Sequence, residues 1–342
     1  MTDVIGWDIG GAHLKAARLR PNGHIMSVVQ LPCPLWRGLE HLELAVDDAI
    51  AALGHAGRHA ITMTGELADI FPNRYEGVVR IVETMQQRLP GVGLQIFSGQ
   101  RGFVSPEEAS RYTAEIASAN WLASAQFAAG QVGNGILVDM GSTTTDIVLL
   151  QDGSAQPQAF TDAGRLATEE LIYTGAVRTP LMAVARRVPF AGIWQRLTAE
   201  HFATMADVHR LTGRLDAAHD MADTADGTGK SAEESARRLA RMVGRDWEEA
   251  DMETWVTLAR FFAQAQMQEL RSAVERMLTR TNDKATPLVG TGAGRFVVRE
   301  LARQMQCNYV DFADLVEGGA EMKNWSAVCA PAFSVAWLGA RG

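Results

Sequence analysis

The chain has 342 residues, of which 47% are hydrophobic and 21% are charged. This composition is typical of a globular protein and excludes a disordered chain, a collagen-like repeat and a disulfide-stapled scaffold. Because domains average about 150 residues, the length predicts two domains rather than one. The formal net charge of −8 provides no general attraction for nucleic acid or for an anionic membrane surface. An anionic ligand would therefore need a local site.

The cysteines and the N-terminus indicate the cellular setting. Cys33, Cys307 and Cys329 are widely spaced and form neither a CxxC metal pattern nor a disulfide framework. The first residues lack the basic and apolar pattern of a secretion signal, and no run of about 18 apolar residues occurs. We expect a cytoplasmic protein with no membrane or nucleic-acid partner.

The first part of the chain predicts a meander of three strands, followed by alternating helices and strands. Short apolar runs bounded by turn residues indicate strands, whereas apolar positions spaced by three and four indicate helices. The Gly10-Gly11 pair predicts the turn between the first two strands. We predict strands at 4–9, 13–19 and 25–31, a helix at 39–53, a strand at 60–63, a helix at 73–88, a strand at 94–97 and a helix at 107–127.

The pattern restarts after residue 134, and the second half approximates the first. Two copies of one pattern predict a duplicated α/β fold rather than a short-period repeat. We predict strands at 135–141, at 144–150 and near 156–161, a helix at 251–278, a strand at 287–290, a helix at 295–305, a strand at 308–311 and a closing helix from about residue 325.

These patterns define the expected domains. We expect a first domain over residues 1–130 and a second over 131–323, with a mostly helical insertion at about 163–250. Residues 324–342 are expected to form a C-terminal helix that packs back on the first domain.

Two hairpin turns have the composition of phosphate-binding loops. Each begins with an aspartate at the end of an apolar strand and continues with glycine, which lets backbone N–H groups approach a phosphate. Lys15 follows the first turn and offers a compact positive charge. The candidate phosphate-binding residues are Gly10, Gly11 and Ala12 in the first turn and Gly141, Ser142, Thr143 and Thr144 in the second.

Each of these candidates has a simpler structural explanation. Asp8 and Asp139 could only cap turns, although their duplicated context favours ligand or metal binding. Lys15 could be a solvated strand residue. Glu66 follows a predicted strand end, where α/β proteins place ligands, or it favours the N-terminus of the next helix.

Two further glycine-rich segments are candidates for ligand contact. Gly290, Gly292 and Gly294 follow an apolar strand and open a helix, a context that suits either a nucleoside or phosphate ligand or a structural turn. Asp226 and Lys230 lie in a polar loop between helical patterns, which either covers a ligand or is simply exposed.

The motifs resemble those of the actin, sugar kinase and Hsp70 superfamily, in which two duplicated ribonuclease-H-like domains enclose a nucleotide or polyphosphate. The matching segments, in the expected order, are DIGGAHLKAA, VDMGSTTTDIVLL and LVGTGAGRF. Within it the chain resembles the hydantoinase A and oxoprolinase-related group, and more narrowly proteins linked to tetrahydromethanopterin-dependent C1 transfer and methanofuran biosynthesis. That resemblance also covers LPCPLWRGL, AITMTGELADIFPNRYEGV, Ser118-Ala119-Asn120-Trp121 and TADGTGKSAEESARRLARMVGRD.

The resemblance implies a transferase that joins a furanylmethyl diphosphate to a phenol, with release of diphosphate. The small-molecule partners would be the furan diphosphate and a tyramine, a tyrosine or a glutamylated form of one. Asp8, Asp139 and Asp146 would hold Mg²⁺ through water, Lys15 would stabilise the diphosphate, and either Asp8 or Glu66 would act as the base for the phenol. His13 departs from the family pattern, which has asparagine there.

Other functions fit the same motifs. The phosphate loops also suit an ATP-dependent small-molecule kinase or an oxoprolinase-like enzyme, because ATP and a furan diphosphate both present bridged phosphates. A non-catalytic sensor that binds its ligand without turnover is a further alternative. A homodimer is one option for the oligomeric state.

Overall fold

A computed structural model describes residues 2–281 and 286–341. Its strands are β1 (Val4–Ile9), β2 (His13–Leu19), β3 (Ile25–Pro32), β4 (Arg58–Met63), β5 (Gly93–Phe97), β6 (Phe103–Val104), β7 (Gly135–Met140), β8 (Thr145–Gln151), β9 (Ser154–Ala155), β10 (Leu171–Ile172), β11 (Arg187–Phe190), β12 (Ile193–Arg196), β13 (Leu288–Thr291) and β14 (Tyr309–Asp311). Its helices are α1 (Glu40–Leu53), α2 (Arg74–Arg88), α3 (Thr113–Ile116), α4 (Asn120–Val132), α5 (Asp162–Thr168), α6 (Leu181–Val184), α7 (Met205–Leu211), α8 (Ala232–Met242), α9 (Met252–Leu278), α10 (Arg295–Met305), α11 (Ala320–Val328) and α12 (Ala330–Gly339).

The chain forms two compact units. Unit 1 comprises Met1–Leu137, Val148–Thr168 and Val310–Gly342. Unit 2 comprises Val138–Ile147 and Glu169–Tyr309.

The sheet of unit 1 has the strand order β3-β2-β1-β4-β5-β6. Strand β1 pairs antiparallel with β2 and parallel with β4, so the predicted three-stranded meander is confirmed. Strand β1 is buried along its whole length, as its unbroken apolar run predicts. The carboxyl ends of the parallel strands β1 and β4 therefore lie side by side.

The second sheet has the order β10-β8-β7-β13-β14, and β9 also pairs with β8. The predicted strands at 135–141 and 144–150 are confirmed, whereas the strand predicted near 156–161 is wrong. Pro157 has no N–H group to donate to a strand ladder, and Thr161 accepts the N–H of Arg165 in the first turn of α5. Leu171–Ile172 pairs with β8 instead.

The single helix predicted at 107–127 is also wrong. The segment forms a 3-10 turn at Pro106–Arg111, then α3 and then α4. The break lies at Ser118, whose φ of 52° is left-handed and incompatible with a continuous helix. This interruption has consequences for the candidate site.

The remaining elements modify the predictions at their edges. The predicted insertion contains helices α6 to α8, but also the β11–β12 hairpin, which its helical pattern did not indicate. The closing helix starts at Ala320 and is divided at Cys329, directly before α12. Within the described ranges, no helix combines the length and the apolar character needed to span a membrane.

Gly6 allows α12 to pack closely on β1. A Cβ atom at Gly6 would overlap the carbonyl oxygen of Ala332 and lie 2.7 Å from Cβ of Ala336. Since α12 packs its backbone against the buried strand, this side of unit 1 has no space for even a methyl group.

We predict that Gly6→Ala lowers the free energy of unfolding by about 1–3 kcal/mol, because overpacking displaces α12 from the sheet. Chemical denaturation followed by circular dichroism measures the change. Gly130→Ala in α4 is the matched control, because a Cβ there meets nothing within 4 Å. This control should be neutral or slightly stabilising in a helix. Equal stability of the two variants would contradict the prediction.

Candidate functional site

The first predicted phosphate turn connects β1 to β2 in unit 1. The antiparallel register places Asp8 opposite Lys15, and Nζ of Lys15 lies 3.7 Å from Oδ2 of Asp8. Asp8 is only 3% exposed, whereas a quarter of the Lys15 side chain is accessible. Lys15 therefore balances the buried charge of Asp8 while its ammonium group stays within reach of an anion.

The backbone of this turn is held from two sides. The N–H of Gly10 donates to the carbonyl of His13 at 3.0 Å, and the carbonyls of Gly11 and Ala12 accept from Leu35 and Cys33. A Cβ at Gly11 would meet nothing within 4 Å, so a ligand can approach the backbone there. The turn uses the main-chain carbonyl of residue 13, a contact that asparagine would also make.

Glu66 lies in a 3-10 turn directly after β4 and is 1% exposed. Its Oε1 accepts a hydrogen bond from Oγ of Ser118 at 2.7 Å. Its Oε2 is buried and has no hydrogen-bond partner among the described residues. Burial raises the pKa of Glu66 to about 7, despite the opposing hydrogen bond from Ser118.

Two glycines place Glu66 beside the first turn. A Cβ at Gly65 would lie 3.1 Å from the carbonyl oxygen of Ile9 and 3.3 Å from the carbonyl carbon of Gly10. A Cβ at Gly77 on α2 would lie 2.7 Å from Cα of Glu66. The backbone around Glu66 is therefore fitted tightly between the phosphate-type turn and α2.

One short segment contacts both candidate bases. Ser118 donates to Glu66, and Nδ2 of Asn120 donates to Oδ1 of Asp8 at 3.2 Å. Asn120 in turn accepts the N–H of Trp121 at 2.8 Å, which orients its amide. The break in the predicted helix at Ser118 makes this double contact possible. In the sequence this segment is distinguished only by its resemblance to a family motif.

Two pockets open on unit 1 next to these groups. The first has a volume of about 600 Å³ and the second about 500 Å³. They share Arg74, whose Nη2 lies 2.6 Å from Oδ2 of Asp162. The first is lined by Glu66, Leu67, Phe71, Pro72, Asn73, Arg74 and Tyr75, and the second by Arg74, Thr113, Ala114, Ala117, Phe160, Thr161, Asp162 and Ala163.

The second predicted phosphate turn, in unit 2, repeats the first in its hydrogen bonding. The N–H of Gly141 donates to the carbonyl of Thr144 at 2.9 Å, as Gly10 does to His13. The carbonyl of Ser142 accepts from Val177 and Arg178. Oγ of Ser142 is buried without a hydrogen-bond partner among the described residues, and anion binding by this hydroxyl stays a prediction.

The third glycine-rich segment wraps the end of β7. Gly292 has a φ of 84°, and a Cβ there would lie 2.7 Å from Oδ1 of Asp139. The N–H of Gly294 donates to the carbonyl of Met140 at 2.8 Å, and a Cβ at Gly290 would overlap the ring of Tyr309. These glycines are therefore required by packing inside unit 2. Their contact with a ligand stays a prediction.

Asp226 and Lys230 are held by a network within unit 2. Asp226 accepts hydrogen bonds from Thr228, Arg238 and Arg241. Partial burial opposes ionisation, but the hydrogen bonds from Thr228 and Arg238 lower the pKa of Asp226 to about 2. Nζ of Lys230 donates to the carbonyl of Asp220 at 2.5 Å. Both residues thus stabilise their own loop, and substrate contact by them stays a prediction.

Sequence analysis missed the buried charges behind this loop. Arg238 is fully buried and bonds Asp207 at 2.8 Å as well as Asp226 at 3.0 Å. Arg210 joins Asp207 to Asp220. The only signal in the sequence is the group of three arginines on α8, Arg237, Arg238 and Arg241, which is equally typical of a solvated helix face.

The carboxylates expected to bind Mg²⁺ lie at strand ends and within the sheet. Asp8 is 3% exposed and Asp139 is 9% exposed at the ends of β1 and β7, and Asp146 pairs with Leu171 in the sheet. In the part of the chain that the structure describes, no three His, Cys, Asp or Glu side chains cluster closely enough to hold a metal. Mg²⁺ is commonly bound by one or two carboxylates, waters and phosphate oxygens. The residues fit that mode rather than a closed protein cage.

Residues 58–317 match the family model for hydantoinase/oxoprolinase, which covers more than half of the chain. The chain belongs to the hydantoinase/oxoprolinase family. This confirms the group indicated by the resemblance of its motifs.

Two archaeal proteins are similar over most of their own length. Both are named (4-{4-[2-(gamma-L-glutamylamino)ethyl]phenoxymethyl}furan-2-yl)methanamine synthase. The protein of Methanocaldococcus jannaschii is 29% identical over 298 residues, which cover 87% of this chain and 88% of that protein. The protein of Methanococcus vannielii is 27% identical over 209 residues, which cover 60% of this chain and 90% of that protein.

Solved structures with the same fold include kinases and other ATP-dependent enzymes. A ROK family glucokinase from Streptomyces griseus, in complex with glucose and AMPPNP, aligns over 99% of this chain and 100% of that chain, with a TM-score of 0.50 and 12% identity. Nucleotide-free acetone carboxylase aligns over 98% of this chain and 70% of that chain, with a TM-score of 0.59 and 10% identity. The predicted α/β fold is thereby confirmed.

We predict that Glu66 makes the stability of this hydantoinase/oxoprolinase family member fall with rising pH. Its pKa is about 7 when folded and near 4.5 when unfolded, so between these values the folded state binds more protons. The stabilisation is complete below pH 4.5 and is lost as the pH rises through 7. Relative to Glu66→Gln, the wild type should lose up to about 3 kcal/mol of unfolding free energy by pH 8.

Urea denaturation of both proteins from pH 5 to pH 8 measures this difference. Glu83→Gln, on the exposed face of α2, is the control and should follow the wild type. Parallel pH profiles for the wild type and Glu66→Gln would show that Glu66 titrates normally.

Proposed function

We propose that this protein is a transferase of methanofuran-type cofactor biosynthesis. In this reaction it joins the methylene carbon of a furanylmethyl diphosphate to the oxygen of a phenol and releases diphosphate. The supporting observation is the similarity, over 87% of the chain, to a protein named as the synthase of a phenoxymethylfuran amine. That named product contains the aryl ether bond which such a step would form.

The chemistry needs two kinds of group. A furan ring donates electron density to the adjacent carbon, so the C–O bond to diphosphate breaks readily once the departing charge is stabilised. A base must also remove the phenol proton. Each unit offers groups that can stabilise an anion, and unit 1 also offers the candidate bases.

Anion stabilisation is supported by the two glycine turns. In unit 1 the backbone at Gly11 is open, and Lys15 follows on β2. In unit 2 the hydroxyl of Ser142 has no hydrogen-bond partner among the described residues and would serve as a donor. Preorganised donors of this kind stabilise developing negative charge without reorganisation. Asp8 or Asp139 would hold Mg²⁺, which when bound would supply positive charge for the leaving diphosphate.

Both candidate bases are carboxylates of unit 1. Asp8 pairs with Lys15 and accepts from Asn120, whereas Glu66 keeps one oxygen without a partner among the described residues. The shared attachment to residues 118–120 holds both side chains in fixed orientations.

The test is an assay of purified protein with a synthetic aminomethylfuran-methyl diphosphate, Mg²⁺ and either tyramine, tyrosine or γ-glutamyl-tyramine. Diphosphate release and the mass of the ether product should appear together. Parallel reactions with ATP in place of the furan diphosphate test the kinase or oxoprolinase-like alternative. ATP consumption without ether formation would overturn the proposed function. Ligand binding without any turnover in both series would favour a sensor.

We predict that Asp8→Asn and Asp139→Asn each lower the rate of ether formation by at least about 100-fold, because each removes a buried charge beside a phosphate-type turn. Asparagine has the same shape and is compatible with a turn, so thermal midpoints should change little. Asp47→Asn, which removes a surface partner of Arg88, is the control and should retain full activity. Wild-type rates in both test variants would exclude these aspartates from the site.

A further inference from the structure

The pocket next to Glu66 has features of a binding site for a small aromatic molecule. Its wall includes the apolar or aromatic side chains of Leu67, Phe71 and Tyr75, and its volume of about 600 Å³ lies in the usual range for small-molecule sites. Leu67 and Tyr75 are about half exposed. Exposed apolar side chains around a pocket are the type of surface that a planar ring covers favourably.

Glu66 is an unusual polar residue of this pocket. Glu66 is almost completely buried, and its second carboxylate oxygen has no hydrogen-bond partner among the described residues. Leaving a buried polar atom unpaired is costly, so a purely structural glutamate would be expected to use both oxygens. A ligand hydroxyl in the pocket would supply the missing hydrogen bond.

A pair of opposite charges lies at the border of this pocket. Arg74 lines both pockets, and its partner Asp162 lines the second. The Arg74 side chain is 38% exposed and that of Asp162 is 17% exposed, so both can reach a ligand. Such a pair presents a guanidinium to a carboxylate and a carboxylate to an ammonium group. These are the two charges of an amino-acid-like zwitterion.

The simplest structural explanation is that Arg74 and Asp162 only clamp α2 to α5. A partly exposed pair of this kind contributes little to stability, and α2 is already anchored by its buried face. The clamp also gives no reason why Oε2 of Glu66, a residue that lines the adjoining pocket, has no hydrogen-bond partner among the described residues.

The pocket also lies next to the first phosphate-type turn. Gly65, the neighbour of Glu66, packs against the backbone of Ile9 and Gly10. A phenol held at Glu66 would therefore be close to a diphosphate held at that turn, as a displacement reaction needs.

We propose that the Glu66 pocket binds the phenolic acceptor, with Glu66 as the proton acceptor and the Arg74–Asp162 pair as the group that recognises a charged amino-acid tail. This assignment rests on the proposed function. The phenol proton moves to Oε2 of Glu66, and the phenol oxygen forms a bond to the furan methylene carbon. The bond from that carbon to diphosphate breaks, and its electron pair leaves with diphosphate.

Ser118 is a positioning residue in this scheme. Its hydroxyl donates a hydrogen bond to Oε1 of Glu66, so Oε2 remains to accept from the phenol. The charged groups that act on Glu66 are Arg74 on α2, which favours the ionised form, and Asp162 on α5, which opposes it. Loss of the Ser118 hydrogen bond would raise the pKa of Glu66 further.

The first experiment measures acceptor binding directly by calorimetry, with tyrosine and tyramine as probes and without the furan diphosphate. Arg74→Gln should weaken tyrosine binding at least tenfold and change tyramine binding by less than threefold, because only tyrosine carries a carboxylate. Asp162→Asn should weaken both. Arg88→Gln, from an Arg–Asp pair at the other end of α2, is the matched control and should bind like the wild type.

The second experiment measures kinetics. Glu66→Gln should lower kcat by about 10²–10⁴-fold and leave acceptor affinity within threefold of wild type. Arg74→Gln should raise KM for tyrosine while KM for the furan diphosphate stays constant. Ser118→Ala should move the acid limb of the kcat profile to higher pH, a shift that a merely structural defect would not produce.

The outcomes separate the two proposals. If the wild type binds neither phenol, or if Glu66→Gln keeps wild-type kcat, the acceptor assignment is wrong even if ether forms. If Arg74→Gln changes KM for the furan diphosphate and not KM for the acceptor, the assignment is wrong as well. If tyrosine binds in an Arg74-dependent manner but no ether forms, the pocket assignment stands and the proposed function fails.

Discussion

The hydrogen bonds from residues 118–120 to two buried carboxylates organise the candidate site of unit 1. Ser118 holds Glu66 and Asn120 holds Asp8, so two side chains from neighbouring strand ends are oriented by one segment. The left-handed backbone of Ser118 ends one helical stretch and lets α4 begin at Asn120. Without this interruption the two donors would lie on a continuous helix and could not both face the strand ends. Backbone strain is thus found where the chemistry is expected.

Glycine has two different roles in the candidate loops. Gly292 and Gly294 are required by their contacts with the end of β7, whereas Gly11 borders open space. The same residue type therefore supports packing in one loop and leaves the backbone open in another. The matching hydrogen bonds of Gly10 and Gly141 show that the duplicated turns share one backbone design. Fold alone does not select the reaction, because ATP-dependent enzymes have it too.

The sequence predicts β1 and β7 because each is a continuous apolar run. It predicts α9 and α10 because their apolar residues recur at helical spacing. The turn aspartates could also be predicted, since each stands between a buried strand and a glycine. The helix at 107–127 could not, because a serine in a left-handed conformation leaves no distinct signal in composition. The β11–β12 hairpin was missed because its short strands show a weak pattern.

The amino-acid sequence alone determined the duplicated α/β pattern, the two turns that contain an aspartate and a glycine, and the family, because these depend on local periodicity and on contiguous motifs. Only the tertiary structure decided which polar groups are already satisfied. It showed that Asp226 is held by arginines, that Oε2 of Glu66 is buried without a hydrogen-bond partner among the described residues, and that Arg74 and Asp162 meet beside the pocket that Glu66 lines. These properties depend on contacts between residues far apart in the chain, and burial alone changes the protonation of a carboxylate.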